Sequence, residues 1–200
     1  MKKKNRQFNI VLLGVGGQGL ITLGNIITQA GFLEGNEVKM SELHGLSQRG
    51  GSVAVQIRLG KDIFSPLIPQ GEADLVLAME RNESLKGCYF SSKKKTIFLI
   101  NDFEIYSPSF GGQKLPGLGE VISEIKPFAK KVYSIKASDI VKEHLGLGIL
   151  AGVFMLSGAT HKELIPISPA NVLKAIKENV PREFGLNKKA FFLAKNNFNL

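Results

Sequence analysis

Two β-type runs, "EVKMSE" at 37–42 and "SVAVQIRL" at 52–59, are joined by only about nine residues, 43–51. A parallel pair of strands needs a crossover of roughly a dozen residues or more, usually helical. This connector carries Gly45, Gly50 and Gly51 and shows no helical period. The strand at 52–59 is therefore expected to run antiparallel to the one at 37–42, which rules out a sheet built wholly from β-α-β units. Within 52–59 the alternation is strict, with Val53, Val55, Ile57 and Leu59 on one face and Ser52, Ala54, Gln56 and Arg58 on the other.

Around that connection the chain reads as α/β. "FNIVLL" (8–13) is a buried-type strand, and "LITLGNIITQAGF" (20–32) is a helix apolar on most faces, with Gly24 and Gly31 allowing close backbone packing. Ile63–Phe64 reads as a brief strand closed by Ser65-Pro66. "ADLVLAM" (73–79) and "TIFLI" (96–100) are further buried strands with a helix over 81–89 between them. A Gly-, Pro- and Ser-rich loop (101–119), a helix (119–129) and the strand "VYSIK" (132–136) follow. Ser138 is expected to cap a short helix, with Asp139 in its first turn and Gly146 after its end. "GILAGVFMLSGA" (148–159) is an apolar helix suited to a core or an interface; if exposed, it would favour self-association of the isolated chain. Ser168-Pro169 opens a helix to about Asn179, and a last helix spans 187–197.

At 200 residues and 44% hydrophobic content the chain can bury one sizeable core, and residues 8–200 are expected to form a single domain behind a basic tail, 1–7. No run approaches the roughly 18 apolar residues of a membrane span. The basic start followed by an apolar run lacks a small-x-small cleavage site, so a cytoplasmic protein is expected. One cysteine, Cys88, excludes a disulfide framework, a Cys-ligated iron–sulfur cluster and a Cys₄ zinc site within the chain, and it reads as a small buried residue. The formal charge is +9, but the lysines fall in separate groups (2–4, 93–95, 130–131, 188–189) without interleaved aromatics, so nucleic acid is not an expected partner.

The segment Gly14-Val15-Gly16-Gly17-Gln18-Gly19 follows a strand and opens a helix, the context of a dinucleotide fingerprint, and Glu42 ends the second strand where a ribose-binding acid would stand. The antiparallel third strand argues against that topology, and Leu20-Ile21 replace the Lys and Ser/Thr of a P-loop. The turn fits an anion site or a tight turn beneath a partner's surface. The loop "HGLSQRGG" (44–51) gathers His44, Ser47, Gln48, Arg49 and Gly50. Arg49 could pair with a carboxylate or phosphate and His44 could move a proton near neutral pH. The plainer reading is a polar loop that satisfies its own backbone. Glu42 and Glu80 end strands at the same sheet edge; His144 and His161 are isolated, and no metal-ligand spacing is present.

"GVGGQG" followed by "SELHGLSQRGGSV" and "IRLGKDIFSPLIPQGEADLVLAME" (57–80) resembles the gamma-type domain of the 2-oxoacid:ferredoxin oxidoreductases, from about Phe8 to Lys195. The "HGLSQRGG" form resembles the small subunit of the indolepyruvate (arylpyruvate) branch rather than the pyruvate or 2-oxoglutarate branches. The resemblance implies a three-layer α/β/α domain with a mixed, mostly parallel, Rossmann-like sheet. It also implies a large partner subunit that carries thiamine diphosphate and iron–sulfur clusters, decarboxylates the 2-oxo acid, forms acyl-CoA and reduces ferredoxin. The chain lacks a Gly-Asp-Gly thiamine-pyrophosphate signature, so it is expected to carry no cofactor or metal of its own. The glycine turn and the 44–51 loop are then expected to face the partner near its active site. An independent dinucleotide-binding protein is the alternative from outside that class.

Overall fold

The computed structural model describes residues 7–44, 51–105 and 115–199. Six strands form one sheet: β1 (Phe8–Val15), β2 (Glu37–His44), β3 (Ser52–Gly60), β4 (Leu75–Ala78), β5 (Ile97–Asn101) and β6 (Lys131–Ile135). Their spatial order is β2-β3-β1-β4-β5-β6. β3 is antiparallel to both β2 and β1, whereas β1, β4, β5 and β6 run parallel. The short connector thus does what its length requires, and it places β3 between β1 and β2.

Successive residues of β1 serve opposite layers, as the two-residue period of a strand demands. Ile10 and Leu12 enter a large core built with α1 (Leu20–Leu33), α3 (Ala137–Leu145), α4 (Ala151–His161), α5 (Pro169–Asn179) and α6 (Phe184–Asn197). Val11 and Leu13 enter a smaller core, closed by Val121 and Ile125 of α2 (Leu118–Ile125) and by the 3₁₀ helix Asn82–Phe90, which stands where an α-helix is expected from the sequence. The result is the three-layer α/β/α arrangement. Gly24 and Gly31 bring α1 onto the sheet: a Cβ at Gly24 would lie 2.8 Å from Met40 Sδ, and one at Gly31 2.8 Å from Leu59 Cδ2.

Residues 151–160 of α4 are all buried, so most of this apolar stretch is core, while Ile149 just before the helix is exposed. Among the described residues no helix is long and apolar enough to cross a membrane.

Three local expectations change. Ile63–Phe64 is not a strand: side chains from the sheet bind its backbone, Lys39 Nζ donating to the Phe64 carbonyl (3.3 Å), and also bind the backbone of the residues that follow. Ile63 N donates to Glu37 Oε2 (3.2 Å), Ile68 N to Gln56 Oε1 (2.7 Å), and Arg58 Nη1 donates to the carbonyls of Ser65 (3.1 Å) and Leu67 (3.3 Å). Ser138 is not a cap: α3 begins at Ala137, and Ser138 in its first turn is bound to Asn101 of β5. Cys88 is half-buried rather than enclosed, and burial pushes its thiol pKa up, away from reactivity.

Where α4 meets the chain's end, Gly158 lies under the ring of Phe198, with no room for a Cβ. Gly158→Ala is expected to destabilise by about 1–3 kcal/mol through overpacking. Because the collision is with one ring, the same change should cost far less in a Phe198→Ala background. Denaturant melts of the two single variants and the double variant would show this non-additivity; strict additivity would contradict it.

Candidate functional site at the carboxyl edge of the sheet

The carboxyl ends of β1, β2, β4 and β5 share one edge of the sheet. β1 passes into the glycine turn, where Gly17 (φ +100°) and Gly19 (φ +73°) adopt backbone angles that suit glycine. Gly16 N donates to Gly51 O (2.8 Å), so the turn is stitched to the residue just before β3.

Gln18 is the brace of this turn. Its Oε1 accepts from Val15 N (2.9 Å) and its Nε2 donates to the carbonyl of Met79 (2.9 Å), just past the end of β4. A Cβ on Gly14 would stand 2.5 Å from Gln18 Oε1, so the absent side chain at Gly14 makes room for the glutamine. The Met79 carbonyl also accepts from Asn101 Nδ2 (3.0 Å), and Asn101 in turn holds Ser138 of α3. One oxygen therefore joins the glycine turn, β4, β5 and α3.

Two cavities open beside the brace. The first, about 350 Å³, lies between α1, the 147–153 segment and the start of α6, and its walls include Leu23, Ile26, Leu147, Ile149 and Val153. The second, about 390 Å³, is lined by Gly17, Gln18, Met79, Phe103, Ser138 and Lys142 among others. Ile149 borders both, and it and Leu147 are exposed despite being apolar. The N-terminus of α1 has no side-chain cap and no acidic residue in its first turn, which leaves its positive end suited to an anion.

The remaining acids have distinct settings. Glu80 is 3% exposed; its Oε2 accepts from Glu83 N (2.7 Å) and its Oε1 from Asn82 Nδ2 (3.3 Å). Burial raises its carboxyl pKa above the usual value, although those hydrogen bonds oppose the shift. Arg81 beside it is neutralised by Asp102 (2.8 Å) and Glu104 (3.0 Å). Glu42 is exposed on β2, in register with Val55 of β3, which itself faces Leu12 of β1. With β3 interposed, Glu42 is about 10 Å across the sheet from β1, two strand spacings rather than the one of a ribose-binding acid.

Of the expected site residues, the structure brings Gly14, Gly16, Gly17, Gln18 and Gly19 together and sets Glu42 apart. Ser47, Gln48, Arg49, Gly50 and the His44 side chain lie outside the described residues. His44 closes β2 opposite Val53, and Ser52 Oγ donates to Glu83 Oε2 (2.6 Å), so both ends of that loop sit at this edge. Sequence reasoning missed Asn101, Met79, Phe103 and the Leu147–Ile149 lip. The only forewarning was a polar Asn101 closing the buried run "TIFLI".

These features define a class: a mixed-sheet α/β protein whose glycine turn is braced by its own glutamine and whose second strand is displaced from the first, unlike a dinucleotide-binding domain. The model of the pyruvate ferredoxin/flavodoxin oxidoreductase family matches residues 9–196, and the chain belongs to that family. It is 36% identical over 193 residues to an indolepyruvate oxidoreductase subunit IorB from Archaeoglobus fulgidus, covering 95% of this chain and 94% of that one. A pyruvate/ketoisovalerate oxidoreductases common subunit gamma from Pyrococcus furiosus is 27% identical, with 86% of each chain covered. The fold is shared with the gamma subunit of a keto/oxoacid ferredoxin oxidoreductase from Geobacter sulfurreducens (TM-score 0.66, 21% identity, 94% and 96% coverage). It is shared too with 31% of the chain of a 2-oxoglutarate:ferredoxin oxidoreductase from Magnetococcus marinus (TM-score 0.70, 20% identity, 96% of this chain).

Glu80 yields a prediction with a definite sign. Its pKa is raised in the folded state, so the stability it contributes is present below its unfolded pKa and is lost as pH rises through the folded value. Glu80→Gln removes that titration, and its new amide can donate to Asn82 Oδ1, which is buried without a partner among the described residues. Thermal melts across pH should show wild type losing stability relative to Glu80→Gln as pH rises above the usual carboxylate range. Parallel profiles would contradict the assignment.

Proposed function

We propose that this chain is the small subunit of an indolepyruvate-type 2-oxoacid:ferredoxin oxidoreductase, with residues 8–200 acting as one domain in the cytoplasm. The observation that carries the reading is the match to IorB subunits along nearly the whole of both chains, joined to the paired "GVGGQG" and "HGLSQRGG" segments. In this reading thiamine diphosphate and iron–sulfur clusters belong to a large partner subunit, which supplies oxidative decarboxylation of a 2-oxo acid, transfer of the acyl group to CoA and electron delivery to ferredoxin. This chain's carboxyl edge closes against that subunit.

Among the described residues no group of three or more His, Cys, Asp or Glu is placed to hold a metal ion. Gln18 is committed to main-chain partners at both ends of its amide, which supports a role in shaping the edge. His44 and Arg49 are the groups on the adjoining loop with charge to offer an anionic substrate, and Ser47, Gln48 and Gly50 accompany them as binding or interface residues. The second reading, a gamma subunit acting on pyruvate or 2-oxoglutarate, draws on the more distant match to the common gamma subunit.

Co-expression with a large subunit of the indolepyruvate type and anaerobic turnover would separate these readings. The expected outcome is higher kcat/KM for aryl than for short 2-oxo acids. Arg49→Ala is expected to lower kcat/KM by on the order of 10- to 100-fold, and His44→Ala to flatten the rate profile near neutral pH. Unchanged assembly and turnover in both variants would remove their assigned roles, and a preference for pyruvate would favour the second reading.

A further inference from the structure

The net positive charge is unevenly placed. Lys93, Lys94 and Lys95 form the turn before β5, Lys126 and Lys130 lie on the connection before β6, and Lys131 opens β6 itself. Lys130 N donates to Thr96 O (2.8 Å), and Ile97 pairs with Lys131, so groups about thirty residues apart in sequence share one edge of the sheet. Lys95 pairs with Glu72 (2.7 Å), and Lys131 Nζ stands 4.6 Å from the centre of the Tyr133 ring. Lys93, Lys94, Lys126 and Lys130 are exposed, and none has a carboxylate partner among the described residues. Two aromatic rings stand at the same edge, Tyr89 (60% exposed) and Phe128 (44% exposed).

Four unpaired cations on adjoining turns repel one another, and the fold gains nothing from their proximity. Exposed aromatics rimmed by like charge are the composition of a docking surface. The cations are all lysine, a point charge, with no arginine to grip phosphate in bidentate fashion. The surface is therefore matched to carboxylates. We propose that this amino edge docks the carboxylate-rich face of a second protein. The proposal seats a partner other than the large subunit there, since the small-subunit reading assigns the large one to the carboxyl edge, about 15 Å away at the other end of the strands.

The test uses the full chain co-expressed with its large subunit and a fluorescent poly-glutamate peptide as the probe. In one variant Lys93, Lys94, Lys126 and Lys130 are all replaced by Glu; in a control of equal charge change Lys162, Lys174, Lys177 and Lys188 are. Circular dichroism checks that both fold. The first variant is expected to weaken peptide binding by on the order of tenfold or more at low salt, and the control by under about threefold. Equal losses would overturn the proposal, since net charge alone would then explain binding. A single-stranded oligonucleotide that binds tighter than the peptide and depends on the same lysines would overturn it in favour of nucleic acid. Loss of co-purification in the first variant alone would make the patch the large subunit's own seat, which also overturns it. If the wild-type chain itself fails to co-purify, the small-subunit reading falls instead, and the peptide comparison on the isolated chain still decides the patch.

Discussion

The carbonyl of Met79 accepts two hydrogen bonds, one from Gln18 and one from Asn101, and the carboxyl edge of the sheet is assembled around that oxygen. It stands just past the end of β4, between the turn that leaves β1 and the helix that follows β6. Backbone carbonyls at strand ends must find donors, and here both come from buried or half-buried amides. Each amide brings a second element with it: Gln18 returns to Val15 N, and Asn101 reaches Ser138. The glycine turn is held by its own side chain, and the space at Gly14 is taken by that side chain.

A segment with the spacing of a dinucleotide fingerprint thus takes a different local form from the nucleotide fold. In the nucleotide fold the glycines admit a pyrophosphate and the next strand supplies a ribose acid. Here Gln18 lies over the first glycine, and β3 separates β2 from β1. What remains is an edge with an uncapped helix N-terminus, two cavities and an apolar lip at Leu147 and Ile149, a surface suited to closing against another protein. The opposite edge has a different character: Lys95 is paired with Glu72, while exposed lysines on both sides of it stand beside the rings of Tyr89 and Phe128.

The sheet was largely legible from sequence because its signals are local. The continuous run at 8–13, the alternation at 52–59 and the length of the 43–51 connector follow from burial and chain reach alone. The bracing network was not legible, because its bonds link residues far apart in sequence. Gln18 was visible as a candidate, but its partner at Met79 depends on β4 lying beside β1. Ser138 followed by Asp139 has the local form of a cap, yet Asn101 draws it into the first turn of α3. Ile63–Phe64 has strand composition, but Gln56, Arg58 and Glu37 satisfy its neighbourhood before a ladder can. The lysine edge was read as scattered charge because only the pairing of β5 with β6 brings its two halves together.

The central claim is that the braced glycine turn is a protein-facing edge and not a nucleotide site. Hydrogen–deuterium exchange of the full chain tests it most directly, read over residues 14–22 and 146–150 for the chain alone, with a large subunit of the indolepyruvate type, and with NAD, NADP or FAD. The account predicts that exchange in both segments slows when the large subunit is added and is unchanged by any of the three nucleotides. Slowing by a nucleotide, with no effect of the large subunit, would contradict it.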